Sequence, residues 1–279
     1  NALYRELLPY FNTHATYYTD NATFESNFKF HQWDLESEDV SILLEQVKPN
    51  VIVSALRGSF DAQVHQHLSI IKYILKNPCK LIFLSSANVF DAFTNYPSYE
   101  YDKTLSESVY GRFKIKIENA LLRLPNNKYN ICRLPMVFGA KSPRLIELTE
   151  HYKNNVPFEV FPNVVINATT HKKLTQQLHY IINRNRKGVF HLGSKDLVHH
   201  DDLIQDICKE LKFENPLLKS VYNSNEDRYL AVMPKDNLLP KNLQMTIQEV
   251  IKEIIAKEFE EDTLQTKINE VQDQVSIAT

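Results

Sequence analysis

The chain has 279 residues, 43% of them hydrophobic and 24% charged, with a formal net charge of −2. That length and balance predict a globular protein able to fill one large core, or a main domain with a smaller lobe. Near-neutral charge and the lack of a basic stripe exclude nucleic acid as an electrostatic partner. No apolar run reaches the roughly 18 residues of a membrane span, and the start shows no signal peptide. Cys79, Cys132 and Cys208 are widely spaced and form no CxxC pair. This points away from a disulfide framework or zinc site and towards a reducing, cytoplasmic compartment.

Taken in chain order, residues 2–11 place Leu3, Leu7 and Leu8 at helical spacing. Residues 14–19 and 28–33 are β-branched and aromatic and predict two short strands. A helix is expected over 38–47, a turn at Lys48-Pro49-Asn50, and a buried strand over 51–55. Residues 60–76 carry Val64, Leu68, Ile71 and Leu75 on one helical face, and Pro78 stops that helix. A second buried strand spans 80–85, a long loop follows, and a helix covers 106–124. The next strand is 130–134. Alternation of this kind predicts a doubly wound parallel α/β sheet with ligands at the carboxyl ends of its strands. That rim holds Ser54, Ser85, Ser86 and Pro135.

After about residue 140 the pattern changes. Helices at 142–154, 171–184, 200–212 and 246–258 alternate with short strands near 158–161, 188–192 and 218–222. The expected division is therefore a dinucleotide-binding domain over 1–140, a substrate-binding lobe over 141–259, and a polar tail over 260–279.

The sharpest local signal is Tyr110-Gly111-Arg112-Phe113-Lys114, which sets a phenol and an ammonium one helical turn apart. Upstream, a strand ends in Ser85-Ser86-Ala87-Asn88. A phenol with its pKa near 10 exchanges protons poorly at neutral pH, and a nearby cation favours phenolate. Such a phenol can trade a proton with a carbonyl while a serine hydroxyl steadies the same oxygen. His199-His200-Asp201-Asp202 reads as a helix cap region, and no metal site is expected.

Six stretches in order resemble the extended short-chain dehydrogenase/reductase superfamily, and within it the dTDP-4-dehydrorhamnose reductase group. They are residues 28–35, 48–55, Ser85 to Asp91, Val109 to Lys114, Arg133 to Gly139 and Gly188 to Gly193. The resemblance implies an NAD(P)-dependent reductase of a 4-keto nucleotide sugar, with Ser86, Tyr110 and Lys114 catalytic. It places the cofactor against Asp34, Leu35, Ser54, Ala55, Leu56, His67, Tyr110, Lys114, Pro135 and Val137. Asp20, after the second strand, would meet the adenosine ribose and favour NAD over NADP. The sugar nucleotide would meet Ser86, Asn88, Asn167 and Arg228. A homodimer is compatible with the resemblance.

The chain departs from the group at three points, one of them Asn163 to Thr170, which matches poorly the segment that positions the sugar nucleotide in the group. The first of its five glycines is Gly58, so the group's glycine-rich phosphate loop and its strand are expected to precede Asn1. His67 stands where the group has an asparagine that props the lysine through water. Two rival readings stay open. One is an epimerase of the same superfamily, which would consume no net cofactor. The other is a non-catalytic cofactor-binding regulatory subunit, as found for methionine adenosyltransferase. Dehydration is disfavoured, because Ala87 and Asn88 occupy the place of its extra acid/base pair.

Overall fold

A computed structural model describes residues 2–19, 22–139, 142–222 and 224–256. The first half runs α1 (Ala2–Leu7), β1 (Ala15–Tyr17), α2 (Ala22–Glu25), β2 (Phe30–Gln32), α3 (Val40–Val47), β3 (Val51–Ser54), α4 (Phe60–Lys76), β4 (Lys80–Ser86), α5 (Val109–Leu121) and β5 (Tyr129–Leu134). The second half runs β6 (Met136–Phe138), α6 (Pro143–Lys153), β7 (Phe158–Val160), β8 (Val164–Ile166), β9 (Ala168–Thr170), α7 (His171–Asn183), β10 (Gly188–His191), β11 (Val198–His199), α8 (His200–Glu210), β12 (Leu218–Ser220) and β13 (Arg228–Leu230). A last helix follows at residues 247–256.

The centre is a four-stranded sheet in the order β10-β5-β4-β3, and every neighbouring pair is parallel. Parallel strands need crossovers, and helices supply them on both faces. Alternate residues of β4 and β5 serve opposite faces. Leu81, Phe83 and Ile131 pack with α3, α4 and α5 through Leu44, Ile70, Ile74, Ile117 and Leu121. Ile82, Cys132 and Phe190 pack with α7 through Leu174, Leu178 and Ile181. A separate core joins α6, α8 and the last helix over β7 to β9, with Leu145, Leu203, Ile207 and Ile251 buried in it.

Three sequence expectations change. The two early strands do not follow one another directly: α2 intervenes, and β1 and β2 pair in parallel. The helix expected over 2–11 ends at Leu7, and the one expected over 106–124 begins at Val109. In the latter case Ser108 sets the start by accepting a hydrogen bond from the Gly111 amide, as an N-cap does. Finally, the chain returns to the central sheet after residue 140. β10 pairs with β5 (Val189 opposite Ile131), so elements on both sides of that boundary share one sheet. The expected tail at 260–279 and Asp20 lie outside the described residues. Among the described residues, no helix is long and apolar enough to cross a membrane.

Candidate active site

Parallel strands put all their carboxyl ends on one rim, and there β4 delivers Ser85 and Ser86 beside the ends of β3 and β5. Ser86 caps the short 3-10 turn Ala87–Phe90. Its hydroxyl donates to Asn88 Oδ1 at 2.9 Å and accepts from the Asn88 amide at 3.2 Å. Helix α5 lies hard against this turn. A methyl group on Gly111 would collide with the Asn88 carbonyl and with Ser106 Oγ, so glycine at that position lets the helix approach. Asp91 fixes the entry to the helix, accepting from Ser106 Oγ at 2.9 Å and from the Glu107 amide at 2.7 Å.

The approach brings Tyr110 beside Ser86. The phenol is 39% exposed, open enough to meet a ligand. Burial pushes its pKa up, while the Ser86 hydroxyl and the Arg57 guanidinium pull it down. Lys114, one turn on, is buried and donates to the Leu84 carbonyl at 3.0 Å. Its ammonium stands 4.8 Å from the Phe83 ring centre and 5.6 Å from that of Tyr110. Burial lowers the Lys114 pKa to about 8, and Glu118 opposes that shift. The structure thus assembles Ser86, Asn88, Tyr110 and Lys114 on one rim.

His67 is buried behind this set. Its Nδ1 donates to the Gln63 carbonyl at 2.6 Å, so its Nε2 accepts from the Ser54 hydroxyl at 2.8 Å. Both ring nitrogens are thereby occupied, and the histidine braces Ser54 instead of reaching for Lys114. Burial lowers its pKa to about 4. His191 behaves alike, at about 3, between Arg133 and the Met233 carbonyl.

Histidines held neutral in the fold and protonated when unfolded make stability depend on pH. Their contribution is complete above the unfolded value of 6.5 and is lost as pH falls through the window down to about 4 for His67 and about 3 for His191. Urea unfolding at pH 5 should therefore give a stability lower than at pH 7 by about 1–2 kcal/mol for each of the two. Replacing His67 by asparagine should remove its share of that difference, and equal pH sensitivity in the variant would contradict the assignment.

The other expected contacts divide. Ala55 is exposed on the rim and Ser54 is buried beside it. Leu35 and Leu56 belong to the core beneath. The Asp34 carboxylate turns back on its own loop, accepting from the Glu36 amide at 2.9 Å and Ser37 Oγ at 2.8 Å. Pro135 is buried, and Val137 packs in the core on the α7 side. Asn167 is not on the rim's surface. It is fully buried, donating to the Ser194 and Val232 carbonyls and accepting from the Val232 amide. It works as a post for the segment around Val232. Arg228, on β13, reaches Thr94 Oγ1 at 3.4 Å, in the loop that follows the 3-10 turn. Among the described residues, no cluster of three or more His, Cys, Asp or Glu could hold a metal ion.

Three residues near the site escape a reading of motifs. Arg57 comes from the loop after β3 and Phe60 opens α4 just beyond it, the usual place for ligand-facing side chains in an open parallel sheet. The Phe60 ring lies 4.9 Å from that of Phe113 and 6.0 Å from that of Tyr110. Glu118, one turn beyond Lys114, forms a buried ion pair with Arg133 at 2.7 Å.

A parallel α/β sheet with helices on both faces, a serine at a strand end and a Tyr-x-x-x-Lys helix above it is of the Rossmann-like class. Comparison places the chain more narrowly: residues 13–271 match the model of the RmlD substrate binding domain, and the chain belongs to that family. A comparison with curated protein sequences returns no match. Among solved structures, a dTDP-4-dehydrorhamnose reductase from Clostridium acetobutylicum is 18% identical with a TM-score of 0.65, covering 94% of this chain and 96% of that one. A dTDP-glucose 4,6-dehydratase from Bacillus anthracis in complex with NAD is 15% identical with a TM-score of 0.74, over 94% and 92% of the two chains. A dTDP-4-dehydrorhamnose reductase from the same organism, in complex with NADP, is 13% identical with a TM-score of 0.69, over 88% and 98%. At these identities the likeness is one of fold.

Proposed function

We propose that the protein is an NAD(P)-dependent reductase acting on a 4-keto nucleotide sugar. The observation that carries this reading is the gathering of Ser86, Tyr110 and Lys114 at the strand rim, where Gly111 lets α5 close on the turn after Ser86 and the Lys114 ammonium stands 5.6 Å from the Tyr110 ring centre. The donor set suits a nicotinamide cofactor: Ser54 and Ala55 at the end of β3 would border it, and Lys114 would hold its ribose. When bound, that cofactor supplies the hydride. Ser86 orients the substrate carbonyl, and Tyr110 gives its proton to the carbonyl oxygen as charge develops there. Asn88 beside Ser86 is an amide that already shares two hydrogen bonds with it. No carboxylate stands at that position to take a second proton, which favours reduction over dehydration. The family supports the same choice.

The test uses the intact protein with dTDP-4-keto-6-deoxy sugar and NAD(P)H carrying deuterium at C4 of the nicotinamide. The expected result is deuterium at C4 of the sugar and one cofactor oxidised per product. The rate should fall as pH rises through about 8, where Lys114 loses its proton. Epimerised sugar without net cofactor oxidation would overturn reduction in favour of epimerisation. Cofactor binding with no change in any keto sugar would favour a regulatory subunit.

A further inference from the structure

Lys114 is a buried ammonium whose neighbours are mostly rings. Helix α5 sets Tyr110, Phe113 and Lys114 at i, i+3 and i+4, on one face. Strand alternation in β4 turns Phe83 towards the same helix. The Lys114 nitrogen stands 4.8 Å from the centre of the Phe83 ring, 5.2 Å from that of Phe113 and 5.6 Å from that of Tyr110. All three lie within the reach of about 6 Å at which an aromatic face attracts a cation.

Other partners are few. An ammonium has three N–H donors, and the structure gives this one the Leu84 carbonyl at 3.0 Å. Glu118, the acid one turn on, commits its carboxylate to Arg133, accepting at 2.7 Å from Nη2 and at 3.1 and 3.2 Å from Nε. From α4 comes His67, kept neutral by burial, with its ring nitrogens taken by Gln63 and by Ser54 of β3. Among the described residues, no carboxylate forms an ion pair with Lys114. The rings themselves are fixed. Phe113 stacks on Phe60 with centres 4.9 Å apart and planes 13° apart. Phe83 is 1% exposed and meets the His67 ring at 85°, with centres 5.1 Å apart.

A buried charge without a counter-ion is unfavourable unless its surroundings stabilise it. A carboxylate would do so by cancelling the charge, and it would repel a phenolate or a phosphate nearby. Ring faces stabilise the ammonium and leave its charge uncancelled. We propose that Phe83 and Phe113 are positioning residues for Lys114, their ring faces holding its ammonium charged on the side of α5 that bears Tyr110. Phe60 acts one step back, by fixing the plane of Phe113.

This deepens the proposed function, but the ammonium can be titrated without substrate or cofactor. The intact protein would carry lysine labelled with ¹³C at Cε, and the Lys114 signal would be assigned by its loss in Lys114→Met. A phenylalanine trifluorinated on its ring, installed in place of Phe83 or of Phe113, keeps the shape of the ring and weakens the pull of its face. The expected result is a Lys114 titration lower by roughly half a unit or more in each variant. It should not move when the same residue replaces Phe138, which is buried in the separate core under α6. Phe113→Tyr keeps an electron-rich ring and should titrate as the parent does. The absence of a downward shift at either position, or an equal shift at Phe138, would overturn the proposal. Under the reductase reading, the alkaline fall in rate should move down together with the titration. Shifts at both rings in a protein that turns over no keto sugar would uphold the cage and count against the functional reading alone.

Discussion

Replacing Glu118 by glutamine is expected to destabilise the protein by about 3–5 kcal/mol, because it strands a buried guanidinium. Glu118 is 0% exposed and Arg133 2%. The carboxylate takes three hydrogen bonds from Arg133, two from Nε and one of 2.7 Å from Nη2. The remaining Arg133 partners are neutral. Nη1 donates to the Glu100 carbonyl at 2.9 Å and to His191 Nε2 at 3.3 Å. Burial holds His191 uncharged, so it offers a lone pair and no countercharge. Glutamine keeps the volume of the side chain but not its charge, so the loss reports electrostatics and not a cavity. Removing both charges together, in Glu118→Met with Arg133→Met, should recover much of the loss. Urea unfolding measures all three proteins, and a single-variant loss below 1 kcal/mol would show that the pair is dispensable.

The same hub ties the site to the distal part of the chain. Arg133 holds the Glu100 carbonyl, while the Glu100 carboxylate accepts from the amides of Lys235 and Asp236. Ser98 and Met233 add backbone hydrogen bonds between the same two segments. Loosening Arg133 would therefore disturb the loop that follows Ser86 as well as helix α5. Lys114 lies on the turn before Glu118, so the glutamine variant should also let Lys114 deprotonate more readily.

The sheet was legible because its strands are buried on both faces. Val51 to Val53 and Leu81 to Leu84 are continuous apolar runs, and such runs read as parallel strands without help from alternation. The Ser86, Tyr110 and Lys114 set was legible because one strand end and one helix spacing place it. The rest depends on contacts that sequence separation hides. Asn163 to Thr170 holds two strands of three residues each, too short for any period to show, and its Asn167 proved to be an internal post. The Glu118–Arg133 pair spans a helix and a strand that nothing local connects. A spacing of four residues put Lys114 near Tyr110, but it could not reveal that the Leu84 carbonyl would claim the ammonium.

Under the proposed function, Tyr110→Phe removes the proton donor and little else. The ring that packs near Phe60 and Phe113 is kept, and only the hydroxyl is lost. General acid catalysis by a positioned side chain contributes about 10²–10⁴-fold, so the variant should lose that much turnover while the fold and dinucleotide affinity hold. Lys114 and Ser54, the cofactor contacts of the proposed function, remain in place, which is why binding and chemistry should separate. The most direct measurement compares single-turnover deuterium transfer from C4-labelled NAD(P)H to a 4-keto nucleotide sugar in the parent and in Tyr110→Phe, with NAD(P)H affinity followed by fluorescence. The account predicts a transfer rate lower by about 10²-fold or more at nearly unchanged affinity. Equal transfer rates in the two proteins would contradict it.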